Sequence, residues 1–151
     1  MLSACFHSPV GALTVFEEDG AITSLRWAET ESAHTALLDQ TVTQLAAYFA
    51  SELQVFDLPL NVKGSEFQRA VCDEMLKIPY GETCTYGDIA KTLGVSAQPV
   101  GGACGANPIP IIIPCHRVMG AGGKLTGFSG AGGVETKVAL LRHEGAGGFL
   151  I

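Results

Sequence analysis

Cys115 stands between Pro114 and the pair His116-Arg117, and this grouping is the strongest candidate for chemistry in the chain. The thiolate, not the thiol, is the nucleophile, and neighbouring imidazole or cationic groups favour it. Adjacent residues on an extended chain point to opposite faces, so His116 is expected to reach the Cys115 thiol through one water rather than directly. A third group must then hold the imidazole. Glu144, in Val138-Ala139-Leu140-Leu141-Arg142-His143-Glu144-Gly145, is the candidate, because a carboxylate on the far ring nitrogen sets tautomer and basicity. Spacing alone leaves a commoner explanation open, an exposed glutamate at a helix end.

The residues before the nucleophile say how it is held. In Asn107-Pro108-Ile109-Pro110-Ile111-Ile112-Ile113-Pro114, three prolines deny a regular helix and four isoleucines demand burial. The chain is therefore expected to run extended inside the fold, with Cys115 at a fixed point. Cys5, Cys72, Cys84 and Cys104 are explained as small packing residues. Five cysteines without a CxxC pair indicate neither a disulfide framework nor a zinc cluster, and suit a reducing cytoplasm. A metal site using Cys5 and His7 stays open.

The elements that position these residues divide the chain. Leu13-Thr14-Val15-Phe16 and Ile22-Thr23-Ser24-Leu25 flank Glu17-Glu18-Asp19-Gly20 and predict a β-hairpin. Residues 31–51 carry apolar side chains at helical spacing, and 55–60 read as a short strand ended by Pro59. Residues 1–62 thus form a small α/β unit, joined at 61–64 to a mainly helical unit over 63–151. Ser65 and Gln68 predict a capping box opening a helix through Leu76. Thr85 caps a second helix ending at Gly94, and Ser96 caps a third with Pro99 in its first turn. Two short helices about a glycine turn fit a helix-turn-helix, although a plain helical hairpin is the commoner outcome of this pattern alone. Residues 120–133 are glycine-rich and read as a loop.

Charge is uneven. The chain is −6 overall; residues 1–62 hold one base, Arg26, against eight acids, while 63–151 hold eight bases against seven acids. Any nucleic-acid contact is expected on the second half, with a modest salt dependence, and a solvated acidic surface explains the first. Apolar runs are too short to span a bilayer and the start MLSACFHSPVG does not read as a leader, so no membrane partner is expected.

Pro114-Cys115-His116-Arg117-Val118 is similar to the signature of the O6-alkylguanine-DNA alkyltransferase family. Further matches run in order over 65–146: Phe67-Gln68, Ile78-Pro79-Tyr80-Gly81, Thr85-Tyr86, Val100-Gly101, Asn107-Pro108, Gly127-Phe128-Ser129-Gly130 and Leu141 to Gly145. Residues 1–60 match in pattern. The resemblance implies an α/β ribonuclease-H-like N-terminal domain and a mainly α, winged helix-turn-helix-like C-terminal domain. It implies a cytoplasmic monomer that moves an alkyl group from O6 of a flipped guanine in double-stranded DNA to Cys115, once, without cofactor or metal. His116, Glu144 and Asn107 would serve that reaction. Tyr86 would help rotate the nucleotide and donate to the base, while Val118 and Ser129 would line the guanine pocket through backbone groups. The helix from Ser96, with Gln98, Gly101, Gly102 and Ala103, would enter the minor groove. Family members commonly carry an arginine where this chain has Gln98, and a tyrosine where it has Phe128. The rival readings are a non-catalytic alkylated-DNA-binding protein, a cysteine hydrolase built on Cys115, His116 and Glu144, and a sequence-specific regulator.

Overall fold

Asp19 and Gly20 take φ of 51° and 78°. Two successive positive-φ residues make the turn whose twist suits a hairpin, and they join β2 (Gly11–Glu18) to β3 (Ala21–Trp27). A strand not expected from the pattern, β1 (Leu2–Ser8), pairs antiparallel with the other edge of β2, giving a three-stranded sheet in the order β1-β2-β3. The computed structural model describes residues 1–125 and 133–146.

Helix α1 (Ala36–Phe49) starts where the Thr35 hydroxyl accepts the Leu38 N–H at 3.0 Å. Leu38, Thr41, Leu45 and Tyr48 recur on one face and are buried, so the helix lies on the sheet along that stripe. The strand expected over 55–60 does not form. Gln44 receives the Asp57 N–H on Oε1 at 2.9 Å, and the Asp57 carbonyl accepts from Gln44 and Gln40 side chains. The backbone here is satisfied by helix side chains, Val55 is 75% exposed, and only Leu60 bridges to Ile22.

In the second half, α2 (Glu66–Leu76) has half of the expected capping box. Ser65 accepts the Gln68 N–H, but the Gln68 side chain leaves the cap and donates to the Ala103 carbonyl at 2.8 Å. Helix α3 (Tyr86–Leu93) has the full box, Thr85 with Asp88, and ends at Gly94 with φ 71°. Helix α4 (Ala97–Gly105) follows at once. Ser96 precedes it in extended conformation but makes no side-chain cap bond, contrary to expectation. A two-residue parallel ladder joins β4 (Cys84–Thr85) to β5 (Val118–Met119), and α5 (Val134–His143) closes the fold. A single apolar cluster runs through both halves, from Leu13, Ile22 and Leu45 to Val71, Val100, Ile113 and Leu140. The Leu25 N–H donates to the Pro108 carbonyl at 2.9 Å, tying β3 to the segment that leads to Cys115. Among the described residues no helix is long and apolar enough to cross a membrane.

Candidate active site

Segment 107–114 is buried and irregular, and its backbone is organised by one side chain. Asn107 donates through Nδ2 to the Ile113 carbonyl at 2.8 Å and accepts the Ile109 N–H on Oδ1 at 3.0 Å. Between them Ile111 has φ 73° and is 1% exposed. A β-branched residue pays on the order of 1–3 kcal/mol for that conformation, so burial of the isoleucines must hold the turn. Cys115 then opens a single turn of 3-10 helix, Cys115–Arg117, where an extended chain was expected. The Arg117 N–H donating to the Pro114 carbonyl at 3.0 Å closes it.

The Cys115 thiol is 6% exposed and burial pushes it up to about 11. A hydrogen bond from Asn107 and the charge of Lys137 act in the opposite direction. Proximity to Arg117 in sequence therefore does not make a resting thiolate, and a base is needed to take the proton. Arg117 serves elsewhere: Nη1 donates to the Ile78 carbonyl at 2.7 Å, and Nε and Nη2 bind Glu144 at 2.8 and 2.9 Å.

His116 is fully buried, with Nε2 2.8 Å from Glu144 Oε2. Burial works to raise the Glu144 carboxyl, but bonds from His116, Arg117 and Tyr48 outweigh it and hold the group well below the usual carboxylate range. An ionised carboxylate only accepts, so Nε2 carries the hydrogen and Nδ1 keeps the lone pair. Nδ1 is buried and has no hydrogen-bond partner among the described residues. Burial, the largest influence, also holds His116 below its ordinary 6.5, so the imidazole is neutral and able to accept a proton. Glu144 is 5% exposed at the end of α5, which removes the exposed-glutamate explanation.

Of the other expected site residues, Tyr86 is the first residue of α3, and its ring centroid lies 5.9 Å from Lys137 Nζ. The Val118 carbonyl accepts from Lys137 Nζ at 2.6 Å. Ser129 and Phe128 lie outside the described residues. Ser96, just before α4, and Gln98 and Gly102 on it are exposed, and Gly101 is half-buried. Ala103, set with Gln98 among the groove-facing residues from sequence, is instead 7% exposed and packs inward with Val100 and Cys104. Added Cβ atoms at Gly101, Gly102 or Gly105 would meet nothing within 4 Å. Among the described residues nothing accounts for three glycines there, since each weakens the helix.

Residues 66–146 match the 6-O-methylguanine DNA methyltransferase DNA-binding domain, and residues 1–62 match the ribonuclease-like domain of the same proteins. The chain belongs to the 6-O-methylguanine DNA methyltransferase family. It is 46% identical to a methylated-DNA–protein-cysteine methyltransferase of Mycolicibacterium paratuberculosis, over 91% of this chain and 88% of the relative. One from Methanosarcina acetivorans is 40% identical over 97% and 99%. The crystal structure of the Mycobacterium tuberculosis protein OGT in complex with DNA superposes with a TM-score of 0.85 at 43% identity, covering 98% of this chain and 96% of that one.

Two residues set beside this family site were missed from sequence. Lys137 is 1% exposed, seven residues before Glu144 on the same face of α5; helical spacing from Glu144 would have found it. Tyr48 comes from α1, in a stripe that reads as core, and no local signal marks it.

Proposed function

We propose that this protein repairs DNA by moving an alkyl group from O6 of guanine onto Cys115, one group per molecule. The proton of the Cys115 thiol passes through a water to His116 Nδ1, and Glu144 stabilises the imidazolium that results. The thiolate attacks the alkyl carbon, the O6–carbon bond breaks, a thioether forms, and the guanine oxygen becomes a carbonyl as the ring takes a proton, with Tyr86 as donor. A thioether has no water-labile bond, so the site does not regenerate. Asn107 holds the chain that presents Cys115, and the Val118 carbonyl and Ser129 bind the base. The observation that carries the reading is the buried His116 imidazole anchored through Nε2 on the Glu144 carboxylate at 2.8 Å, which makes Nδ1 its proton-accepting nitrogen. A protein that only bound the lesion would need no such base.

DNA is bound through the minor groove by α4, with Ser96, Gln98, Gly101 and Gly102 on the approach; the open space at its glycines supports close contact with a partner's backbone. The setting is a reducing cytoplasm, which suits five free thiols, and the protein acts as a monomer.

The test mixes intact protein with a duplex carrying O6-methylguanine and follows both by mass spectrometry. One methyl on the Cys115 peptide and one repaired base per protein molecule are expected. Repair of several bases per molecule would sink the proposal, as would transfer that survives Cys115→Ala.

A further inference from the structure

Glu144 Oε2 receives a third donor besides His116 and Arg117, and it comes from the other half of the chain. The Tyr48 hydroxyl on α1 donates to Oε2 at 2.6 Å, across 96 residues of sequence. We infer that Tyr48 is a positioning residue for the transfer reaction, fixing Glu144 and through it the orientation and basicity of His116. The inference rests on the reading that Cys115 is the alkyl acceptor.

The surroundings argue that the hydroxyl does more than find the nearest acceptor. Tyr48 is fully buried, and its ring is gripped by Phe49 at 4.9 Å, Phe56 at 5.4 Å and Tyr80 at 6.1 Å. Its carbonyl accepts from His143 Nε2 at 2.7 Å, so backbone and ring are held without the hydroxyl. What the hydroxyl adds is a rigid donor on the same carboxylate oxygen that binds His116 Nε2. Burial, together with the Glu144 charge, drives the phenol far above its ordinary range, so it stays a donor. A carboxylate oxygen shared by three donors offers less of its charge to any one of them. Tyr48 thus keeps Glu144 ionised and aimed while limiting how tightly His116 holds a proton. The charged and titratable groups around this centre are Arg117 and Cys115 on the 3-10 turn, Lys137 and His143 on α5, and Tyr80 after α2. The N-terminal half becomes part of the reaction centre rather than only its support.

The experiment uses the full chain and the free base O6-benzylguanine, which needs no DNA binding, in single turnovers across a pH series. Tyr48→Phe keeps the ring and removes the donor. Its rate should fall by about tenfold, the scale on which partners of a reacting group act. The acid limb of its pH profile should move to higher pH, because His116 then has a larger share of the carboxylate charge. Phe56→Leu disturbs the same packing but keeps the hydroxyl; it should lower the melting temperature and leave the profile in place. In a Glu144→Gln background the effect of Tyr48→Phe on rate should vanish. An unshifted profile in Tyr48→Phe, an equal shift in Phe56→Leu, or an undiminished effect in the Glu144→Gln background overturns the inference. Absence of transfer by the unaltered protein overturns the alkyl-acceptor reading instead.

Discussion

Arg117 and Glu144, 27 residues apart, meet in a two-point fork, Nε to Oε1 at 2.8 Å and Nη2 to Oε2 at 2.9 Å, with the arginine side chain 8% exposed and the carboxylate fully buried. A buried pair of this kind is sensitive to loss of either partner, since the survivor keeps its charge without compensation. At rest the site holds two cations, Arg117 and Lys137, one anion, a neutral imidazole and a protonated thiol. In the proposed reaction, proton transfer from Cys115 to His116 would create its charges inside a structure already arranged to receive them.

That balance separates two variants. Glu144→Gln leaves Arg117 buried without a counter-charge, which should cost about 3–5 kcal/mol of stability and slow transfer. His116→Ala removes the base, so it should slow transfer more while costing less stability. Single-turnover rates and urea unfolding on the same preparations check both halves. A Glu144→Gln protein as stable as the parent would contradict the buried-pair argument.

Lys137 is the cation whose field favours the thiolate. Lys137→Met keeps the length and apolar stem and removes the charge, so the Cys115 thiol should titrate still higher than about 11 and transfer should slow by roughly an order of magnitude. The slowing should shrink as pH rises. Modification of Cys115 by iodoacetamide against pH reads the thiol directly, and an unmoved titration would remove Lys137 from this role.

The helical glycines give a prediction of opposite signs. Gly102→Ala and Gly105→Ala place methyl groups in open space, so each should stabilise the protein by about 0.5–1 kcal/mol. Both should weaken DNA binding, because the added carbon stands where a sugar-phosphate wall would come close. Reaction with free O6-benzylguanine should not change. Tighter DNA binding by either variant would mean that this helix face does not approach the duplex.

Gln98 is exposed on α4. Gln98→Arg restores a long planar cation able to fill the gap left by a flipped base, and should tighten DNA binding with a salt slope steeper by about one counterion. Duplex repair should gain more than reaction with the free base. Equal gains, or none, would place Gln98 away from the base-extruding position.

Stability should form a plateau in pH. The folded His116 lies below its ordinary 6.5, so as pH falls through about 6.5 the unfolded chain takes a proton that the folded one resists, and stability drops. Glu144 acts in the same direction: its folded carboxyl is depressed, so the stability it contributes is present above the unfolded carboxylate value and is lost as pH falls toward the folded one. Cys115 acts on the other side, since its raised thiol loses its contribution as pH rises from about 8.5 toward its folded value of about 11. Urea midpoints against pH test this, and a midpoint that rises on acidification below the histidine range would reverse the sign.

What the sequence determined by itself was local. The turn at Asp19-Gly20, the Thr85 cap with its Gly94 stop, and the prolines that deny a helix around Ile109 follow from short-range backbone sterics and capping, so neighbours in sequence suffice to read them. The motif around Cys115 likewise pointed to a nucleophile and its base. Tertiary structure decided everything that depends on distant partners. Residues 55–60 have strand-like composition, but Gln44 takes up the Asp57 backbone; Gln68 leaves its cap for Ala103; and Arg117, next to the nucleophile in sequence, turns to Glu144 instead. Tyr48 and Lys137 acquire their roles only when folding brings one onto the Glu144 carboxylate and the other onto the Val118 carbonyl. Hydrogen-bond choice inside a protein is set by which acceptors burial leaves unsatisfied, and that is a property of the packed whole.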